Sequence, residues 1–96
     1  MSITVRLPGP LRQLAEGRTV VDLDGRLATA GAALAALGRQ YPTVYHRIVT
    51  EQGDVRQHIN VFVGDEDIRS LAGLETPIAD GTEIVILPAV SGGAWS

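Results

Sequence analysis

The amino-acid sequence predicts an α+β fold, in which a mixed sheet of four to five strands packs on one main helix. Three observations support this prediction. First, four segments have the apolar pattern of strands. Second, an alanine-rich segment with helical periodicity lies between the second and the third of them, and Gly or Pro residues separate all five segments. Third, a chain of 96 residues is the size of one domain with one hydrophobic core.

The first two strands are predicted to form an antiparallel hairpin. Apolar and polar side chains alternate over residues 3–7, the period expected of a half-buried strand. The Pro-Gly-Pro segment at 8–10 ends this strand. The second strand covers residues 19–23 and is reached through a turn at 16–18.

The main helix is predicted to run from a capping residue, Thr29, to about Gln40. Apolar side chains at 30, 34, 37 and 41 share one helical face, and alanines at 32, 33, 35 and 36 favour the helix. Pro42 is expected to stop it, because proline disfavours a helical residue before it. A short helical turn that buries Val44 and Ile48 is expected next.

The second half of the chain is predicted to hold two more strands. Residues 58–63 alternate, with Ile59, Val61 and Val63 on one face. Segment 64–67 has the composition of a turn, and the region up to the Asp-Gly turn at 80–81 is expected to be irregular. The last strand covers residues 82–87.

This order of elements describes a β-grasp, or ubiquitin-like, fold. The right-handed crossover rule lays either the strand at 58–63 or the final strand parallel to the first. A final strand inside the sheet would hold the base of the C-terminal tail rigidly. The predicted organisation is therefore a domain over residues 1–90 followed by a flexible tail over residues 91–96.

Composition narrows the functions that the chain can perform. A net charge of -3 argues against nucleic-acid binding, which depends on neutralising phosphates. The absence of cysteine removes disulfides, thiolate metal ligands and a thiol nucleophile. No apolar run approaches the roughly 18 residues of a membrane span, and the N-terminus lacks signal-peptide features. We expect a cytoplasmic protein with no nucleic-acid and no membrane partner.

Four segments in the second half carry specific motifs: INVFV at 59–63, DEDIR at 65–69, PIADG at 77–81 and ILPAVSGG at 86–93. A Gly-Gly pair alone is a weak signal, but here it ends a strand that follows an Asn-x-aromatic strand and an Asp-Gly turn. With these motifs the chain resembles the MoaD/ThiS sulfur-carrier family, and within it the CysO-type carriers of cysteine biosynthesis.

The resemblance implies a carrier protein that is not an enzyme. An E1-like adenylyltransferase/sulfurtransferase would use ATP to adenylate the Gly93 carboxylate, and a sulfur donor would convert it to a thiocarboxylate. Gly92, Ser91, Val90 and Pro88 would form the tail that guides Gly93 into partner enzymes. A sulfur-acceptor synthase, first of all one of cysteine biosynthesis, would receive the sulfur. No cofactor is expected on the chain itself, since ATP is bound by the partner.

The segment Ala94-Trp95-Ser96 departs from the family pattern, in which most carriers end at the second glycine. An amide at Gly93 leaves no carboxylate to activate. The resemblance implies that a JAMM-type metalloprotease cleaves the Gly93–Ala94 bond. The alternative is that the three residues are a cloning or tag remnant. On either interpretation the mature end is predicted to be Gly93.

Phe62, Val85 and Leu87 are expected on the sheet face opposite the helix. An exposed apolar patch there would suit docking of the adenylating enzyme and of acceptors. Scattered exposed apolar residues are also normal, so this alternative stays open.

The remaining polar residues do not form a pattern typical of catalysis or metal binding. Asp65-Glu66-Asp67 lacks the ligand spacing of a calcium loop, and His46 and His58 have no acidic cluster or cysteine around them. Ser91 has no base placed to activate it. We therefore expect no catalytic residue and no metal site.

Other functions remain open at this point. One is the small subunit of molybdopterin synthase, and another is a sulfur donor for thiolated metabolites. A ubiquitin-like modifier or interaction module without sulfur chemistry belongs to a different class. Such a module would keep its activity after deletion of Gly93, whereas a carrier would lose all transfer.

Overall fold

The computed structural model describes residues 2–88 of the chain, and in them five strands form one sheet in the order β2-β1-β5-β3-β4. The strands are β1 (Ser2–Arg6), β2 (Val20–Asp24), β3 (Ile59–Val63), β4 (Glu66–Asp67) and β5 (Glu83–Pro88). The helices are α1 (Gly9–Arg12), α2 (Ala30–Gln40) and α3 (Pro42–Ile48), with 3₁₀ turns at Gln13–Ala15, Ile68–Ser70 and Gly73–Glu75. The predicted α+β, β-grasp architecture is confirmed.

The final strand, β5, lies at the centre of the sheet. It pairs parallel with β1, where Val5 faces Ile84, and antiparallel with β3, where Phe62 faces Val85. Of the two strands that the crossover rule allowed beside β1, the final one is therefore the parallel partner. Ile84 and Val85 pair with both neighbours, whereas the last residues of the strand, Ile86 to Pro88, pair with β3 alone.

The segment between β1 and β2 contains the predicted turn, at Glu16 and Gly17, but also a helix that was not predicted. The two strands pair antiparallel as expected, from Ser2↔Asp24 to Arg6↔Val20. The connection, however, contains α1 and a 3₁₀ turn, which bury Leu11 and Ala15. Proline, expected only to end the strand, also suits the first turn of a helix because its φ is already helical and its missing N–H is not needed there.

The main helix begins as predicted and packs on the sheet. The Thr29 Oγ1 accepts a hydrogen bond of 3.1 Å from the Ala32 backbone N–H, which satisfies one of the free donors of the first turn. Leu34 and Leu37 are fully buried against the sheet. Pro42 ends α2 but also begins α3, so the predicted short turn is a helix of seven residues.

The contact between α2 and α3 depends on a small residue. A Cβ atom on Gly38 would lie 2.9 Å from the Cβ and Cγ of Tyr45, closer than side chains pack. Glycine at this position therefore lets the second helix lie directly on the first. Val44 and Ile48 of α3 are fully buried, as the sequence predicted.

Segment 64–67 is the second place where the structure departs from the prediction. Gly64 adopts a φ of 61° and forms a tight turn with Asp65. The next two residues pair with Phe62 and Val63 as the edge strand β4. The prediction of a turn over the whole segment was wrong because backbone pairing, and not the propensity of Glu and Asp, decides a strand this short.

The core lies between the sheet and α2. Val5, Val61, Ile84 and Ile86 on the inner sheet face are fully buried, while Val63 is only partly buried. Among residues 2–88 no buried side-chain nitrogen or oxygen lacks a hydrogen-bond partner. In the same range, no helix has the length and apolar character required to cross a membrane.

Candidate functional site

The predicted sulfur-bearing residue and most of its tail lie outside the described residues. This applies to Gly93, Gly92, Ser91 and Val90, and equally to the predicted cleavage site between Gly93 and Ala94. Pro88, the last described residue, ends β5 and pairs with Ile59 of β3. The structure therefore describes the chain up to Pro88, at the end of the central strand.

Gly93, which holds the predicted reactive carbon, is the fifth residue after Pro88. An extended chain covers roughly 3.3–3.6 Å per residue, so Gly93 can reach about 17 Å beyond Pro88. That Gly93 carries the reactive carboxylate stays a prediction.

The three predicted docking residues share the outer sheet face. Phe62 and Val85 are direct cross-strand partners, and Leu87 follows on the same face of β5, opposite Asn60. Leu87 is 42% exposed, and Phe62 and Val85 are half-buried. We call these three residues the outer patch. Along β5 the patch ends next to Pro88, the last described residue.

Charged residues border the outer patch. Four residues on neighbouring strands lie side by side across the sheet, in the order Arg6, Val85, Phe62 and Asp67. The apolar pair of Val85 and Phe62 therefore lies between a cation and an anion. Arg6 Nη2 also lies 3.0 Å from Glu83 Oε2, and both side chains are about half exposed.

A second arginine adjoins the patch at β3. Arg69 Nη1 donates a hydrogen bond of 2.7 Å to Asn60 Oδ1, and Nη2 donates one of 2.8 Å to the Arg56 carbonyl. These bonds hold the guanidinium beside the residue that faces Leu87. Sequence reasoning missed Asn60 and Arg69; strand alternation could have assigned Asn60 to the outer face, but nothing in the pattern places Arg69 next to it.

The described residues contain no cluster with the make-up of a metal site. Within residues 2–88, no group of three or more His, Cys, Asp or Glu residues lies close enough together to hold a metal ion. His46 and His58 are exposed on separate elements, and His46 contacts the Tyr45 ring edge-on with centroids 5.9 Å apart. That the chain has no catalytic residue stays a prediction.

Comparison with known proteins links this geometry to one family. The model of the ThiS family matches residues 5–93 of the chain. The sulfur carrier protein CysO of Mycobacterium tuberculosis is 38% identical over 95 residues, covering 97% of this chain and all of that protein. Small archaeal modifier protein 1 of Haloferax volcanii is 39% identical over 89 residues, covering 92% of this chain and 97% of the relative.

Solved structures agree with the sequence matches. A chain in the crystal structure of the Amycolatopsis orientalis BexX/CysO complex superposes with a TM-score of 0.83 at 36% identity. The superposition covers 95% of this chain and 99% of that one. The relatives are small carrier and modifier proteins, which confirms the family that the motifs indicated. The chain belongs to the ThiS family of ubiquitin-like sulfur carriers and modifiers.

Proposed function

We propose that this chain is a sulfur carrier whose Gly93 carboxylate is activated and converted to a thiocarboxylate after residues 94–96 are removed. The observation that carries the proposal is the position of the Gly-Gly pair. Its second glycine lies five residues beyond the central strand β5, and the family match ends at that glycine. A rigid base and a narrow end suit insertion into a partner's active site.

The proposed chemistry takes place on the backbone. The Gly93 carboxylate attacks the α-phosphorus of ATP, pyrophosphate leaves, and an acyl adenylate forms on an E1-like adenylyltransferase/sulfurtransferase. A sulfur nucleophile then attacks the acyl carbon and AMP leaves, which gives the thiocarboxylate when the donor is sulfide. The tether keeps the sulfur close to the acceptor, which raises its effective concentration in that site.

Removal of the last three residues precedes activation in this scheme. The carbonyl of Gly93 is an amide as long as Ala94 follows it, and an amide offers no carboxylate oxygen to attack ATP. A JAMM-type metalloprotease is the proposed agent of this hydrolysis.

The outer patch is the proposed docking surface for these partners. It lies on the strand that leads into the tail, so a partner that holds Phe62, Val85 and Leu87 also directs the tail. Arg69, whose guanidinium is bound to the neutral acceptors Asn60 Oδ1 and the Arg56 carbonyl, offers positive charge at one border of the patch, which suits an acidic side chain on the partner. The charge of Arg6 is paired with Glu83. The A. orientalis relative was crystallised as a BexX/CysO complex, which supports a carrier that works by docking.

Cysteine biosynthesis in the cytoplasm is the pathway that we propose, since the Mycobacterium relatives are named sulfur carrier protein CysO. The small subunit of molybdopterin synthase and a donor for thiolated metabolites are alternatives that use the same chemistry. A second candidate is protein modification, because the H. volcanii relative is named a small archaeal modifier protein. A modifier would form an amide bond from Gly93 to a target amine.

Mass spectrometry of the C-terminus tests the proposal. A chain that ends at Gly93 is incubated with ATP, an E1-like enzyme and sulfide, and the expected product has one terminal oxygen replaced by sulfur. The full chain, blocked by Ala94, and a chain that ends at Gly92 are the matched controls and should remain unchanged. If the chain that ends at Gly93 forms the adenylate but never acquires sulfur, while an amine acceptor becomes linked to it, the modifier function is correct instead.

A further inference from the structure

A groove lies between α1 and the end of β5. It has a volume of about 190 Å³ and is lined by Pro8, Pro10, Leu11, Arg47, His58, Ile59 and Pro88. We call it the basal groove. It exists because β5 extends beyond its partner on one side: pairing with β1 stops at Val85, whereas pairing with β3 continues to Pro88.

The basal groove has the chemistry of an aromatic-ring site. Leu11 and Ile59 are each 6% exposed and supply apolar surface, and three prolines add flat, apolar rings. Arg47 is exposed, and a guanidinium over the face of an indole gains cation–π attraction. An apolar cavity of about 150 Å³ is known to accept a benzene ring, so the volume here suits a ring of the next size, such as indole.

We propose that, before the tail is cleaved, the basal groove binds the indole of Trp95 of the same chain. Trp95 is the only tryptophan and lies seven residues after Pro88, which itself lines the groove. Glycine adopts positive and negative φ with similar ease, so Gly92-Gly93 can reverse the chain direction midway. The chain then runs three residues outward from Pro88 and two residues back, at roughly 3.3–3.6 Å per residue. The backbone of Trp95 therefore comes close enough to the groove for the indole side chain to span the remaining gap.

The contact itself goes beyond the sulfur-carrier function, but its release rests on the cleavage at Gly93 that belongs to the proposed function. Besides blocking the Gly93 carboxylate, the segment after Gly93 would have a second role: it would hold the Gly-Gly pair against the domain as a bend. Cleavage at Gly93 then removes Trp95, so the tail and the basal groove become free in one step.

The fluorescence of Trp95 reports directly on the proposed contact, because the chain has no other tryptophan. Acrylamide quenching is measured on the full chain, folded and in denaturant. A tail docked about two-thirds of the time gives a quenching constant about threefold lower in the folded protein. Equal constants in the two states would overturn the proposal.

Two arginines provide a matched pair of variants. Both are exposed; Arg47 lies in the last turn of α3 and Arg39 in the last turn of α2. Replacement by Asp therefore changes the net charge and the interaction with the helix dipole in the same way in both variants. Only Arg47 lines the groove. Arg47→Asp should raise quenching toward the denatured value, and Arg39→Asp should not. Pro10→Asp, at another exposed lining position, should repeat the effect of Arg47→Asp.

A dilution series distinguishes the chain's own tryptophan from that of a second copy. Shielding that is independent of protein concentration supports the intramolecular contact, whereas shielding that fades on dilution overturns it in favour of exchange between copies. Equal quenching of the Arg47→Asp and Arg39→Asp variants would show that the groove is not the binding site.

Discussion

Phe62 and its neighbour Val61 point to opposite faces of the same strand, so variants at the two positions can separate an effect on docking from an effect on folding. The first of these variants is Phe62→Asp. Phe62 is half-buried on the outer face, and Val61 is fully buried in the core. Full burial of a Phe side chain is worth about 1.5–3 kcal/mol, so loss of partial burial costs about 1 kcal/mol of folding stability. A new carboxylate opposite Asp67 adds a few tenths of a kcal/mol, since like charges across a strand pair repel.

The effect of Phe62→Asp on binding is expected to be larger than its effect on stability. An aromatic residue at the centre of a docking patch typically contributes about 2 kcal/mol or more, which corresponds to a loss of affinity of roughly thirtyfold. Val61→Ala, the matched core variant, should lower stability by about 2 kcal/mol through lost burial and a small cavity, and leave affinity unchanged.

Urea unfolding measures the stability of both variants, and titration calorimetry measures their affinity for the adenylating enzyme. The test is whether Phe62→Asp loses mainly affinity while Val61→Ala loses only stability. If Phe62→Asp binds within about twofold of the unmodified chain while its stability falls, the outer patch is packing surface and the docking proposal is wrong.

Three further predictions follow from other contacts. Thr29→Ala should lower the free energy of unfolding by about 1 kcal/mol because it removes the cap of α2, whereas Thr29→Ser should retain most of the cap's stabilisation. Urea unfolding measures both variants, and equal stabilities would contradict the prediction. Gly38→Ala should cost about 1–3 kcal/mol through overlap with Tyr45, and a Tyr45→Ala background should abolish most of that cost in a double-mutant cycle. If the chain modifies proteins, gel analysis should show no chains in which one copy is linked to a lysine of another copy, since all eight basic residues are arginine.

Strand alternation predicted the inner and outer faces of the sheet well. Ile84 and Ile86 face the core while Val85 and Leu87 face outward, because successive side chains of a strand point to opposite faces. The Thr29 cap was predictable for a similar reason: it depends on atoms three residues apart.

Features that depend on distant contacts could not be predicted in this way. The two-residue strand β4 forms because the backbone of β3 lies beside it, and Glu and Asp by themselves indicate a turn. The position of Arg69 depends on Asn60 and on a carbonyl 13 residues away. The basal groove results from unequal pairing lengths on the two sides of β5, which no local pattern encodes.

The central place of β5 has a consequence for the synthesis of this protein on the ribosome. β1 contributes Val5 and β5 contributes Ile84 to the same parallel pair, so the sheet cannot close until almost the whole polypeptide has been translated. Pairing between such distant segments is also slow to form. A prematurely terminated product would lack the strand that joins the two halves of the sheet and, with it, two of the three outer-patch residues. Only a completely translated molecule can therefore form the whole sheet and present all three outer-patch residues together.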